Sequence, residues 1–310
     1  MANLRRIAQQ LWETEAELAR LQRAIAEAPE HDLLQFDLMS LEKRQRNLQE
    51  EFAEVARQEQ IDVCDYRIIP ETPDSYPIAG IGQSLQRFQE LFSIVFDAIK
   101  TGPKNRARIG ADIAAQSTFN FGYIYAGSLG FSLTIPSERL LLIETDAERA
   151  VDSLVSILQC DSSEALRKLV PTVGVASISR AYQFSAVHAS YGFNTRIRWF
   201  SGRELRHDVV VHAPEYERLK ELIDQTGDEE EERTILSGRL VGLDVDTDYF
   251  HMTFPEGDDI KGKLADEFQH DDGRTVPGSY KADVIKQTRL HYSTGEIVVT
   301  WVLVALHPVD

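Results

Sequence analysis

The chain has 310 residues, 43% of them hydrophobic, with 50 acidic against 33 basic side chains and a net charge of −17. That length accommodates two or three packed units, and the excess acid disfavours non-specific attachment to nucleic acid or anionic lipid. No apolar run approaches the roughly 18 residues of a membrane span, and acids interrupt the apolar stretch that a signal peptide needs, so no membrane association and a cytoplasmic location are expected.

The first sixty residues carry apolar side chains at coiled-coil spacing in two runs separated by Pro29. Leu4, Ile7, Leu11, Leu18, Leu21, Ile25 and Ala28 keep a 3-4 rhythm with Thr14 as its polar member; Leu34, Leu38, Leu41, Leu48, Phe52 and Val55 repeat it with Gln45. The spacing predicts an antiparallel helical hairpin over 1–60, turning at Pro29 to Asp32, with Asp32 as N-cap of the second helix. Two helices alone bury one stripe each. The pair is therefore expected to dock on its own globular domain or on the hairpin of another copy; self-association into a homo-oligomer is the favoured reading, with Leu11, Leu18, Leu21, Ile25, Leu34, Leu41 and Leu48 at the interface.

A mixed α+β domain is expected over 61–223. Ile61 to Ile69 alternates like a strand, and the proline-rich stretch 70–77 reads as a linker. Ile81, Leu85, Phe88, Leu91, Phe92, Val95, Phe96 and Ile99 predict a core helix ending at Thr101-Gly102-Pro103. Strands are expected over 118–125, 129–135 and 140–143, helices over 147–158 and 171–191, strands over 194–200 and 209–211, and a helix from Pro214 to about Asp224. The run from Asp224 to Arg233, rich in glutamate, reads as a solvated acidic linker. Five strand-like runs over 234–310 predict a small closed barrel of SH3-like or OB-like type, a size at which closure removes exposed edges.

Charge divides along the same boundaries, with net values of −5 over 1–63, −1 over 64–223 and −11 over 224–310. A protein partner with a basic surface would be steered to the C-terminal end. Cys64 and Cys160 lie far apart in segments of different kinds, which points to free buried thiols.

No catalytic residue, metal or cofactor is assigned. Ala126-Gly127-Ser128-Leu129-Gly130 approaches a nucleophile elbow, but alternation after Ser128 predicts a strand where the elbow requires a helix. Gly80-Ile81-Gly82 precedes a helix yet lacks the third glycine of a phosphate-cradling loop. Asp244, Asp246 and Asp248 would share one face of an extended segment, but the spacing fails as a calcium loop at Tyr249 and Pro255. His207 and His212 fall on opposite faces of a strand. Arg196, Arg198, Arg203 and Arg206 form the candidate ligand-binding group, since guanidinium groups hold carboxylate or phosphate bidentately. They can equally pair with the chain's own acid.

These readings converge on a non-catalytic assembly protein that oligomerises through the hairpin and presents an acidic barrel to a partner. Two alternatives stand beside it. One is an enzyme with a site in the middle domain around Ser128, His188, Arg196 and Arg198; the other is an acidic nucleic-acid mimic acting in conflict between a microbe and its virus.

Overall fold

The computed structural model describes residues 2–27, 32–72, 75–106, 108–125, 129–136, 144–201, 204–244, 246–254, 259–268 and 275–309. The protein is α+β, and the chain divides into two compact units, Met1–Gln225 and Thr226–Asp310.

The N-terminal rhythm folds as α1 (Ala2–Glu27) and α2 (Asp32–Gln58); the turn at Pro29 lies outside the described residues. Leu4, Ile7 and Leu11 of α1 pack with Leu48, Phe52 and Ala56 of α2, and the same cluster takes in Val63, with Tyr123 and Phe200 at its margin. The basal half of the hairpin thus covers a sheet of its own chain. Leu11, Leu18 and Leu48, expected between copies, are buried within one chain, whereas Leu21, Ile25, Leu34 and Leu41 nearer the tip are half-buried. The boundary expected at residue 60 correspondingly divides elements that share one core. Thr14, the polar member of the first run, is buried and satisfied by donating its hydroxyl to the Gln10 carbonyl at 2.8 Å.

That sheet is antiparallel throughout. It comprises β1 (Ile61–Pro70), β2 (Asn120–Tyr125), β3 (Leu129–Pro136), β4 (Phe193–Ser201) and β5 (Glu204–Val211) in the order β2-β3-β1-β4-β5. Central β1 is buried on both faces. Its even-numbered residues face the helices α3 (Ile78–Thr101), α5 (Asp146–Leu158) and α6 (Ser163–Tyr191), as Tyr66 shows by stacking on Phe88 at 4.6 Å. Phe184 continues this layer from α6, and Phe92 of α3 lies 5.8 Å from Trp199 of β4. Large rings placed at helical spacing on α3 and at period two on the strands make this face a continuous aromatic core. The short α4 (Ala111–Ser117) and the later α7 (Ala213–Gln225) complete the unit. The strand expected over 140–143 lies outside the described residues.

Two glycines in this unit are required by packing. A Cβ at Gly80 would stand 2.8 Å from the Tyr191 ring and 3.0 Å from Phe193, so Gly80 serves close packing, whereas a Cβ at Gly82 would meet nothing within 4 Å. Gly174 takes φ 75° and interrupts α6, where a Cβ would meet the Lys104 backbone at 2.4 Å. The helix expected from Pro171 instead begins at Ser163, capped by the Ser162 hydroxyl accepting from the Ala165 amide at 3.3 Å.

The second unit is a closed five-stranded barrel of β6 (Gly227–Asp244), β7 (Tyr249–Thr253), β8 (Asp259–Leu264), β9 (Gly278–His291) and β10 (Ile297–Pro308), ordered β10-β8-β7-β6-β9. Leu240, Phe250, Met252, Val284 and Leu303 fill it. β8 and β10 run parallel from Gly262 to Leu264, and Gly262 is needed because a Cβ there would sit 2.0 Å from the Trp301 carbonyl oxygen. The acidic run expected as a linker is ordered strand: Asp228 to Glu232 pair with Leu290 to Lys286 of β9. Backbone pairing satisfies this segment even though its side chains are exposed. Among the described residues, no helix is long and apolar enough to cross a membrane.

Candidate functional sites

A transverse row of polar side chains crosses the hairpin-facing side of the first sheet. The registers Tyr123↔Ser132, Asp65↔Ser132, Asp65↔Arg198 and Arg198↔Asp208 align Tyr123, Ser132, Asp65, Arg198 and Asp208 on one face. The Arg198 guanidinium donates to the buried Asp65 carboxylate and lies 5.6 Å from the Phe200 ring centroid. One residue pair along, Arg196 holds Asp208 bidentately at 2.7 and 2.6 Å. That contact depresses the Asp208 carboxyl below its usual range. Burial raises the Tyr123 phenol, and the nearby Asp65 and Glu15 charges push the same way.

Between this row and α2 lies a cavity of about 670 Å³. Phe52, Val63 and Phe200 form its apolar wall, Asp65, Arg198, Ser132 and Tyr123 its polar floor, and Arg46 and Glu50 belong to its α2 side. Glu15 approaches the same face from α1, accepting from the Gln45 amide. Burial raises its carboxyl against the opposing pull of Gln45 and Arg67.

On the opposite face of the sheet, Tyr66, Ser84 and His188 pack closely against one another. Tyr66 Oη lies 2.7 Å from Ser84 Oγ and 2.8 Å from His188 Nε2, and Ser84 Oγ is 3.0 Å from the same nitrogen. His188 Nδ1 is 2.7 Å from the Phe184 carbonyl, so the proton belongs on Nδ1 and Nε2 accepts. Burial lowers the imidazole from 6.5 to about 4. Although serine and histidine adjoin, all three residues are fully buried. Nearby, Ser201 donates to Glu148, whose carboxylate also completes the capping box of α5 by accepting from the Thr145 amide at 2.9 Å.

The four predicted arginines separate. Arg196 and Arg198 share the hairpin-facing side of β4, Arg206 pairs with Glu204 at 3.4 Å and Glu144 at 3.7 Å, and Arg203 lies outside the described residues, as does Ser128. The acids that engage Arg196 and Arg198 come from adjacent strands. Asp244 accepts from the amides of Asp246 at 3.0 Å and Thr247 at 3.2 Å, forming a turn. His207 lies 2.5 Å from Asp152. No cluster of three metal-ligating side chains occurs among the described residues. Sequence reading missed Asp65, Ser132 and Tyr123, whose convergence depends on strand register; the charged positions Asp62, Asp65 and Arg67 inside the β1 run were the available signal, and only for Asp65.

In the barrel unit, β6, β9 and β10 extend past the closed part as three strands. Gly227 to Gly238 pair with β9 alone, and β7 joins from Arg239; Ile297 to Thr300 pair with β9 alone, and β8 joins from Trp301. One face carries the rows Asp228-Leu290-Ile297, Glu230-Thr288-Val299 and Glu232-Lys286-Trp301. Ile297 is 56% and Val299 44% exposed. Acid therefore lines one edge of an open apolar strip.

In comparisons with known proteins, no family model, no curated protein and no solved structure matches the chain.

Proposed function

We propose that the chain is a cytoplasmic, non-catalytic interaction protein that presents the three-strand extension of its acidic barrel to a protein partner with a basic surface. The observation that carries this reading is the ordered Asp228 to Glu232 segment, set in register across β9 from exposed Ile297 and Val299. The apolar strip supplies the burial and the acidic edge the selection: covering one such aliphatic side chain contributes about 1.5–3 kcal/mol, while the charges set encounter rate and partner sign. Closure through a parallel contact between β8 and β10 supports the OB-like over the SH3-like alternative, which is an antiparallel meander. The acid on this unit opposes the nucleic-acid binding common on OB-like barrels.

The test compares affinity purification of the full chain with a variant carrying Glu229, Glu230, Glu231 and Glu232 all changed to Gln. Proteins retained by the parent and lost both from the variant and at raised salt support the reading. An identical retained set overturns it.

Self-association belongs to the same proposal, at the hairpin tip, where Leu21 and Leu41 are half-buried and Phe36 and Met39 are 69% and 65% exposed. Light scattering of the parent and of the Leu21→Asp/Leu41→Asp variant decides it. A dimer that becomes a monomer supports the tip, and a monomeric parent removes it.

A further inference from the structure

We infer that the cavity between α2 and the first sheet binds a small zwitterion with an apolar side group, an amino acid or dipeptide. At about 670 Å³ it falls within the range of small-molecule sites. Its charged lining is balanced: Arg198 and Asp65 on the floor, Arg46 and Glu50 one helical turn apart on α2. A ligand of net charge of either sign meets repulsion from half of that set. A zwitterion finds a partner for each pole, its carboxylate directed to the arginines and its ammonium to the acids.

The apolar part of such a ligand has its own place. Phe52, Val63 and Phe200 supply apolar lining, with Phe52 set edge-on to the Tyr123 ring at 5.3 Å. The floor is preorganised, because Asp65 and the Phe200 ring fix the Arg198 guanidinium and the strand register fixes both backbones. A charged pair set directly beside Val63 and Phe200 matches a compact ligand whose poles and hydrocarbon lie within a few atoms of one another.

Calorimetry on the full chain tests the inference with L-phenylalanine, L-leucine and leucyl-leucine as probes, set against phenylalanine amide and N-acetylphenylalanine, which each lose one charge. The expected result is heat from at least one zwitterion and at least tenfold weaker binding of both single-charge analogues. Ala53→Trp, which fills the cavity from α2 without altering a charge, should abolish that heat. Gln49→Trp, at an exposed lining position, serves the same purpose should the first variant fail to fold. The inference is overturned by silence from all three zwitterions, by equal binding of an analogue, or by undiminished binding in a folded tryptophan variant.

Discussion

Adjacent residues of one strand, Asp65 and Tyr66, enter opposite environments. Tyr66 points into a layer where Phe88, Phe184, His188 and Tyr216 leave no space and the phenol, hydroxyl and imidazole satisfy one another. Asp65 points towards the hairpin, where charged groups are paired but a cavity remains. The same device, a polar group inserted into an apolar strand, fixes packing on one face and lines accessible space on the other. What separates the outcomes is the covering element: three helices bring rings into contact with the helix face, whereas only the basal half of a two-helix hairpin reaches the other.

The largest effect should distinguish the two faces by packing alone. Phe184→Ala removes a fully buried ring from the closed layer and should cost about 3–5 kcal/mol in urea unfolding. Phe52→Ala, on a ring that already borders empty space, should cost about 2 kcal/mol, because fewer contacts are forfeited. Equal losses would break the comparison.

Titration sharpens it. The folded imidazole of His188 protonates near 4, against 6.5 for an exposed histidine, so between these values the unfolded chain binds the extra proton. Stability is therefore full above pH 6.5 and declines as pH falls towards 4, by on the order of 3 kcal/mol for this group. In His188→Leu, urea unfolding across that window should lose this component of the slope. An unchanged slope would show that His188 is not the group responsible.

On the hairpin face the two arginine pairs should rank by burial. Asp65→Asn removes the charge that balances Arg198 near the cavity floor and should cost about 2 kcal/mol, after allowance for the partial exposure of Arg198. Asp208→Asn breaks a more exposed pair and should cost below about 1 kcal/mol. Chemical denaturation of both variants at neutral pH measures the order, and its reversal would mean that the cavity floor is effectively solvated.

The legible part of this fold was periodic. The α3 ring spacing, the alternation of β1 and β4 and the two heptad runs predict their elements directly. What stayed hidden depends on pairing. Glutamates from Glu229 to Glu232 have no apolar period, and only their registry with β9 makes them a strand. α4 is one short helix with two buried residues, too few to establish a stripe. The heptads predict helices without stating what covers them, so an intramolecular sheet and a second copy are equivalent until Val63 is seen within the Leu11 cluster. For the site, Arg196 and Arg198 were readable as neighbours on one strand face, whereas Asp65, Ser132 and Tyr123 are separated along the chain and meet only across three strands.

The smallest effect concerns Glu15, where hairpin and sheet face one another. Burial raises its carboxyl above 4.5, and neighbouring Asp65 adds to the rise, so at neutral pH the folded state carries an ionised group that it disfavours. The sign follows: a raised folded value contributes stability below the unfolded value, and that contribution disappears as pH climbs through the folded one. Glu15→Gln keeps a polar partner for Gln45 and deletes the charge. The variant should gain stability at pH 7, by less than about 1 kcal/mol given the partial exposure of the site, and lose the advantage near pH 4, where the parent carboxyl is itself protonated. Paired urea titrations at the two pH values would detect the crossover. A constant difference would assign the effect to helix propensity and leave the electrostatic contrast between the faces without this support.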